Sequence, residues 1–329
     1  MSAAGAVLEV EDLAISYRTR RGPIDAVRGV SFSLDRGRSL GLVGESGSGT
    51  SQTCFAIMGL LPGNASVRGA ISLLGEPIIG APRSRLDALR GRQMSLVFQD
   101  PMTALTPHMT VGHQLCEMVT HHEGVSRSAA RERALEIMER VRINDPARRF
   151  EMYPFELSGG MRQRIVIAAA LILRPALLIA DEPTTALDVT VQAEVLRIFR
   201  AVVEHSGTAM LLVSHDLGVV AGACDDVAVM YAGRVVEYAD VTTLFSRPQH
   251  PYTRALLACR PRLDTADGSK RLVSIDGQPP DPSAMMAAGC EFRERCRDAF
   301  DRCAVEKPAL LVRPGAAEHR AACHLDARK

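Results

Sequence analysis

The sequence predicts an α/β protein built around a mostly parallel sheet, and three observations carry that prediction. The apolar run Ser39-Leu40-Gly41-Leu42-Val43 leads into the glycine-rich stretch Gly44-Glu45-Ser46-Gly47-Ser48-Gly49-Thr50-Ser51, after which Ser51 to Leu60 reads as a helix. A second apolar run, Ala176-Leu177-Leu178-Ile179-Ala180, ends on the acidic pair Asp181-Glu182. A third, Ala209 to Val213, ends on Ser214-His215-Asp216. Short unbroken apolar runs separated by helical segments are the pattern of parallel strands buried on both faces.

Strand, glycine loop and helix together form the context of a phosphate-binding loop. Glycines let successive backbone N–H groups turn inward, and the helix N-terminus favours negative charge. The pattern G-x-x-x-x-G-K-[ST] is met at every position but one. Thr50 stands where the pattern requires lysine, while Ser51 supplies the hydroxyl expected on the magnesium side and Gln52 follows it. Taken alone, the stretch also reads as a flexible Ser/Gly turn. Lysine occurs only at Lys270, Lys307 and Lys329, so none in the first 269 residues can substitute for the missing one.

The remaining elements follow in chain order. Residues 6–18 and 30–43 are strand-like, with Tyr17 closing the first run, where an aromatic ring either stacks on a base or packs against its neighbours. Val67–Leu74 is another strand, and the strand beginning near Gln93 ends on the polar pair Gln99-Asp100 before Pro101. From Pro107 to Glu156 the spacing turns helical, a subdomain inserted into the α/β core over about 107–165. Leu157-Ser158-Gly159-Gly160-Met161-Arg162-Gln163-Arg164 then opens a helix running to Ala170, with Ser158 as its N-cap and a second helix N-terminus offered to an anion. Paired carboxylates at the end of an apolar strand suit a magnesium-associated aspartate, Asp181, and a water-polarising glutamate, Glu182; a solvated turn is the competing reading. Residues 225–238 read as a hairpin around Ala232-Gly233.

Composition narrows the function classes. A chain of 329 residues is long enough for one large domain and an appendage, and a net charge of +1 provides no basic field for nucleic acid. The N-terminus lacks a basic start followed by a long apolar core, and Arg174-Pro175 interrupts the apolar stretch from Ile165 to Ala180. A cytoplasmic protein is expected, in which eight cysteines are free thiols or metal ligands rather than disulfides.

These residues together resemble the ATP-binding subunits of ABC transporters, and in particular the D-type subunit of dipeptide and oligopeptide importers. Leu157-Ser158-Gly159-Gly160 is similar to the signature motif, and Asp181-Glu182-Pro183 follows downstream as the family requires. The resemblance implies roles for further residues: Gln99 as the Q-loop glutamine at magnesium and the membrane partner, Ala186-Leu187-Asp188 as the D-loop, His215 as the switch histidine and Tyr17 as the adenine-stacking aromatic. Gln99 to Leu105 and Arg247 to Leu256 resemble the peptide-importer subunits specifically. The implied fold is an ABC-type core over residues 1–247 and a small Cys-rich C-terminal domain over 248–329. The implied assembly pairs this chain with a second, F-type ATP-binding subunit, two membrane permease subunits and an extracytoplasmic substrate-binding protein, on the cytoplasmic face of the membrane. Two ATP molecules with Mg²⁺ are sandwiched head to tail, each between one subunit's loop and the other's signature. A soluble ABC ATPase outside transport and a non-hydrolysing regulatory subunit are the alternatives.

Thr50 modifies that expectation. The loop lysine acts as a point charge on the β- and γ-phosphates, and threonine has neither its charge nor its reach. Removing one partner of a desolvated charge pair costs about 2–5 kcal/mol. One reading is an asymmetric pair in which this chain lends Ser158, Gly159 and Gly160 to a competent site while its own site, still carrying Glu182, turns over slowly. The other is an inactivating change, since lysine and threonine codons differ by one base.

Beyond Pro248 the chain is rich in Pro, Arg, Asp and Cys and ends in Cys290-x5-Cys296-x6-Cys303-x19-Cys323. Four neighbouring cysteines read as a thiolate metal site or as packed free thiols. The resemblance implies a [4Fe–4S] cluster, which the related tail carries in some members of the family.

Overall fold

The computed structural model describes residues 5–98, 100–185, 187–259, 274–281, 288–313 and 318–325. The chain begins with β1 (Ala6–Thr19), β2 (Gly22–Asp35) and β3 (Ser39–Val43), followed by α1 (Thr50–Ile57), β4 (Ala65–Leu73), β5 (Glu76–Pro77), α2 (Arg83–Leu89) and β6 (Met94–Val97). Next come α3 (Pro101–Ala104), α4 (Val111–Glu123), α5 (Arg127–Arg140), α6 (Pro146–Phe150) and α7 (Gly159–Leu171). The second half runs through β7 (Leu177–Asp181), α8 (Val189–Ser206), β8 (Ala209–Ser214), α9 (Leu217–Ala223), β9 (Asp226–Tyr231), β10 (Arg234–Asp240), α10 (Val241–Ser246) and α11 (Pro251–Ala258). A C-terminal segment adds α12 (Asp301–Val305), β11 (Leu311–Val312) and β12 (Arg320–Ala321).

Two sheets organise the molecule. The larger has the order β11-β12-β10-β9-β3-β8-β7-β6, and the smaller, antiparallel one has the order β2-β1-β4-β5. Strands β9, β3, β8, β7 and β6 are parallel, and every residue of β3, β7 and β8 is buried. Burial on both faces is why these strands are apolar without interruption. Alternate residues feed two cores: Leu178, Ala180, Met210 and Leu212 face the helices α4, α5, α7, α8 and α9. Leu177, Ile179, Leu211 and Val213 face the antiparallel sheet and α1. Each fully buried apolar side chain contributes about 1.5–3 kcal/mol.

Local sequence sets the helix limits. Ser126, Ser158, Asp188 and Asp240 each accept a hydrogen bond from a backbone N–H of the first turn, and α8 ends at Gly207 with φ +64°. Ala232 and Gly233, at φ +48° and +81°, close the β9–β10 hairpin read from the sequence.

The structure differs from the sequence reading in two places. The run 30–43 is two strands in different sheets, broken at a turn that Arg38 N closes onto Asp35 O at 3.2 Å, with Gly37 at φ +68°. Val30, Phe32 and Leu34 alternate in burial while Ser39–Val43 do not, and that switch of period marks the boundary. The cysteine-bearing extension, expected as an appended small domain, is continuous with the body over its described residues: β12 pairs with β10, and Phe292 joins the main core. Gln99 and Ala186 lie outside the described residues.

Candidate nucleotide-binding site

Adjacent parallel strands β3, β8 and β7 deliver Gly44, Ser214-His215 and Asp181-Glu182 to one end of the sheet, where α/β folds bind their ligands. The loop between β3 and α1 is cramped at its two ends and open in its middle. A Cβ on Gly44 would lie 2.4 Å from Ser48 Oγ, and one on Gly49, at φ +98°, would lie 2.5 Å from Ala26 O. At Gly47 nothing lies within 4 Å. No side chain caps α1, and the buried Ser48 Oγ has no hydrogen-bond partner. Uncapped amides and an orphaned hydroxyl fit an anionic group in this loop.

Ser51 Oγ donates to Asp181 Oδ1 at 3.0 Å, joining the loop to the strand-end carboxylate. Burial pushes the Asp181 carboxyl above its ordinary value, opposed by the Ser51 hydrogen bond and helped by the neighbouring Glu182 charge. Ser51 and Asp181 would hold a magnesium ion, which screens phosphate charge when bound. His215 Nδ1 lies 3.2 Å from Glu182 Oε1, and Thr185 Oγ1 donates to Glu182 Oε2 at 2.8 Å. Glu182 itself sits at φ +47°, with its N–H bonded to Val213 O. Tyr17 Oη donates to Gln52 Oε1, which brings the aromatic expected at the base and the first turn of α1 together.

Thr50 opens α1 and carries no charge. Two arginines border the loop; each donates to protein groups, and the buried Nη1 of Arg28 has no hydrogen-bond partner. Arg28 shares a recess with Glu45, Ser46, Gly47 and Ser48 and donates through Nε to Asp25 O. Arg295 is ion-paired with Glu45.

Ser158 and Gly159 are exposed at the start of α7. Ser158 Oγ accepts from Met161 N at 3.4 Å, and no atom lies within 4 Å of a Cβ built on Gly159. Gly160 rests against Val191 on α8, whose N-cap is Asp188. Sequence reasoning missed three residues: Gln163, whose buried amide donates to Pro183 O, and Tyr252 and Arg295, which hold Glu45. The last two are separated from Glu45 by 207 and 250 positions, beyond any local signal.

Cys290, Cys296 and Cys303 are free thiols, and Cys290 and Cys296 feel Cys303 and Cys323 electrostatically. Burial pushes the Cys290 thiol up to about 11. Among the described residues no three His, Cys, Asp or Glu side chains form a group that could hold a metal ion. The described residues thus give no support to the iron–sulfur cluster that the tail's resemblance implied.

Residues 27–185 match the ABC transporter family, and residues 236–303 match the oligopeptide/dipeptide transporter C-terminal region. The chain is 46% identical over 312 residues to the oligopeptide transport ATP-binding protein OppD of Salmonella typhimurium, covering 95% of this chain and 92% of that one. It belongs to the oligopeptide transport ATP-binding proteins of the ABC transporter family. The dipeptide transport ATP-binding protein DppD of Bacillus subtilis is 45% identical over 309 residues, 93% of this chain and 91% of its own. Among solved structures, cbiO1 from Clostridium perfringens, part of the ABC transporter complex cbiONQ, superposes with TM-score 0.63 at 26% identity, over 74% of this chain and 92% of that one. The ATP-binding cassette MJ0796, dimeric and bound to ADP and Pi, shares the fold with TM-score 0.64 at 24% identity, over 71% and 98%.

Proposed function

We propose that this chain is the ATP-binding subunit of an importer for oligopeptides or dipeptides, and that the two ATP sites of its assembly are unequal. Its partners are a second, F-type ATP-binding subunit, two permease subunits and an extracytoplasmic substrate-binding protein. It is held on the cytoplasmic face of the membrane through the permease; no described helix is long and apolar enough to cross a membrane. Tyr17, Gly44–Gln52 and Asp181 bind ATP with Mg²⁺, and Glu182, His215 and Gln99 serve hydrolysis. Ser158, Gly159, Gly160 and Asp188 face the partner's nucleotide.

The observation that carries the asymmetry is Thr50 at the head of α1, beside a Ser51–Asp181 pair and a Glu182–His215 pair that are otherwise in contact. A loop with its amides and hydroxyl but without its cation binds phosphate and stabilises the transition state poorly. A lost charge contact of about 2–5 kcal/mol corresponds to at least about thirtyfold in rate. The experiment is ATP hydrolysis by the assembled transporter, with the partner's own site blocked by mutation, for the unmodified chain and for Thr50→Lys. A gain of about tenfold or more supports a site silent for want of lysine, and an unchanged rate removes that reading. The same threonine also favours a second reading, a regulatory subunit that binds ATP without ever hydrolysing it. Retention of peptide uptake when Glu182→Gln is introduced in this chain alone would support it.

A further inference from the structure

The phosphate loop is held from outside by the C-terminal segment, and the contact falls on its second residue. Glu45 N–H donates to Tyr252 Oη on α11 at 3.0 Å. The Glu45 carboxylate takes both ends of one guanidinium: Arg295 Nη1 to Oε2 at 2.8 Å and Nη2 to Oε1 at 3.2 Å. The Arg295 side chain is only 6% exposed and that of Glu45 25%, so the pair is partly removed from water. Its guanidinium carbon lies 5.8 Å from the Tyr231 ring centre and 6.0 Å from that of Phe292. Tyr231, Tyr252 and Phe292 pack on one another with centroids 4.7–5.4 Å apart. Arg295 Nε also donates to Asp276 O at 3.0 Å, and Pro279 and Pro280, a few residues on, line the recess beside Glu45, Ser46, Gly47 and Ser48.

Two physical consequences meet at this contact. Glycines at 44, 47 and 49 leave the loop soft, and a soft loop has to be ordered when ligand binds. A bidentate guanidinium clamp on Glu45 orders its start in advance. The same clamp neutralises a carboxylate that would otherwise repel a triphosphate arriving next to it. Burial works against the Arg295 charge, yet its hydrogen bonds to Glu45 and Tyr231 more than offset that, and the guanidinium is held more firmly protonated than usual.

We infer that Arg295 is a positioning residue for nucleotide binding, acting through Glu45, so that the C-terminal segment of this chain helps to set the affinity of its phosphate loop. The inference rests on the reading of Gly44–Ser51 as the nucleotide loop.

The test is equilibrium titration of the assembled transporter with a fluorescent ATP analogue, with thermal melting alongside. Arg295→Ala weakens binding about tenfold. Arg295→Lys, which keeps the charge but not the fork, falls between it and the parent. The double variant Arg295→Ala/Glu45→Gln binds more tightly than Arg295→Ala alone, because the carboxylate left bare by the first change is gone. A purely structural role predicts the reverse, two defects that add. Parent-like affinity in Arg295→Ala, or a double variant weaker than that single one, overturns the inference. Should Arg295→Ala fail to fold, parent-like affinity in Arg295→Lys overturns it equally. A parent chain that binds no nucleotide, with its partner's site blocked by mutation, overturns the nucleotide reading and this inference with it.

Discussion

The side-chain amide of Gln163, only 1% exposed, donates to the carbonyl oxygen of Pro183 at 2.8 Å. This bond ties the second turn of α7, the helix that begins with Ser158-Gly159-Gly160, to the turn carrying Glu182. The exposed serine-capped turn and the turn after the strand-end carboxylates are thereby joined by a buried hydrogen bond. Deleting the amide strands a buried carbonyl, which costs about 1–3 kcal/mol. Gln163→Ala is expected to lower the melting temperature by several degrees, roughly 2–4 °C per kcal/mol in a chain of this size. A melting temperature unchanged to within about one degree in calorimetry would sink the claim that this bond matters.

Gly159 has open space around its missing Cβ and stands at an exposed helix N-terminus. A carboxylate introduced there meets nothing in this chain but would confront a triphosphate presented by a partner. Gly159→Asp is expected to leave the melting temperature of the isolated chain within about one degree and to lower ATP hydrolysis by the assembled transporter about tenfold or more. Full hydrolysis in the complex would show that this turn serves no partner site.

His250 caps α11 through Nδ1, accepting from Tyr252 N at 3.1 Å, while its backbone N–H donates to the buried Glu237 carboxylate at 2.9 Å. Burial, with the nearby Arg313 and Arg254 guanidinium groups, pushes the imidazole down to about 3. Unfolding returns it to the ordinary value of about 6.5. Between pH 6.5 and 3 the unfolded chain therefore binds one proton more than the folded one, and this histidine's stability contribution is complete above 6.5 and lost as the pH falls. The slope is about 1.4 kcal/mol per pH unit. Asparagine keeps a capping acceptor without titrating. Denaturant unfolding between pH 4 and 7 is expected to show a shallower slope for His250→Asn by close to one proton; identical slopes would exclude the assignment. Glu237, which also meets His319 Nε2 at 2.7 Å, is common to both proteins and cancels in the comparison.

Much of the site was legible because its parts are contiguous. The glycine run, the serine-capped turn and the strand-ending carboxylates each carry their chemistry within eight residues, and periodicity alone put them on a loop, a helix start and strand ends. The break between β2 and β3 was less visible, since a half-buried strand and a fully buried one abut with only Arg36-Gly37-Arg38 between them. The cysteines show the opposite limit. Their spacing reads equally as a thiolate metal site or as packed thiols, and the described residues add no group that could hold a metal ion.

Local order along the chain was thus enough to reveal a glycine-rich loop with Thr50 at the lysine position of the phosphate-loop pattern, and the family to which the chain belongs. What the fold alone decided is who touches that loop. Tyr252 and Arg295 reach Glu45 only because β10, α11 and the C-terminal segment return across the end of the parallel sheet, and such long-range contacts arise from packing of distant apolar surfaces, which no short window of sequence contains.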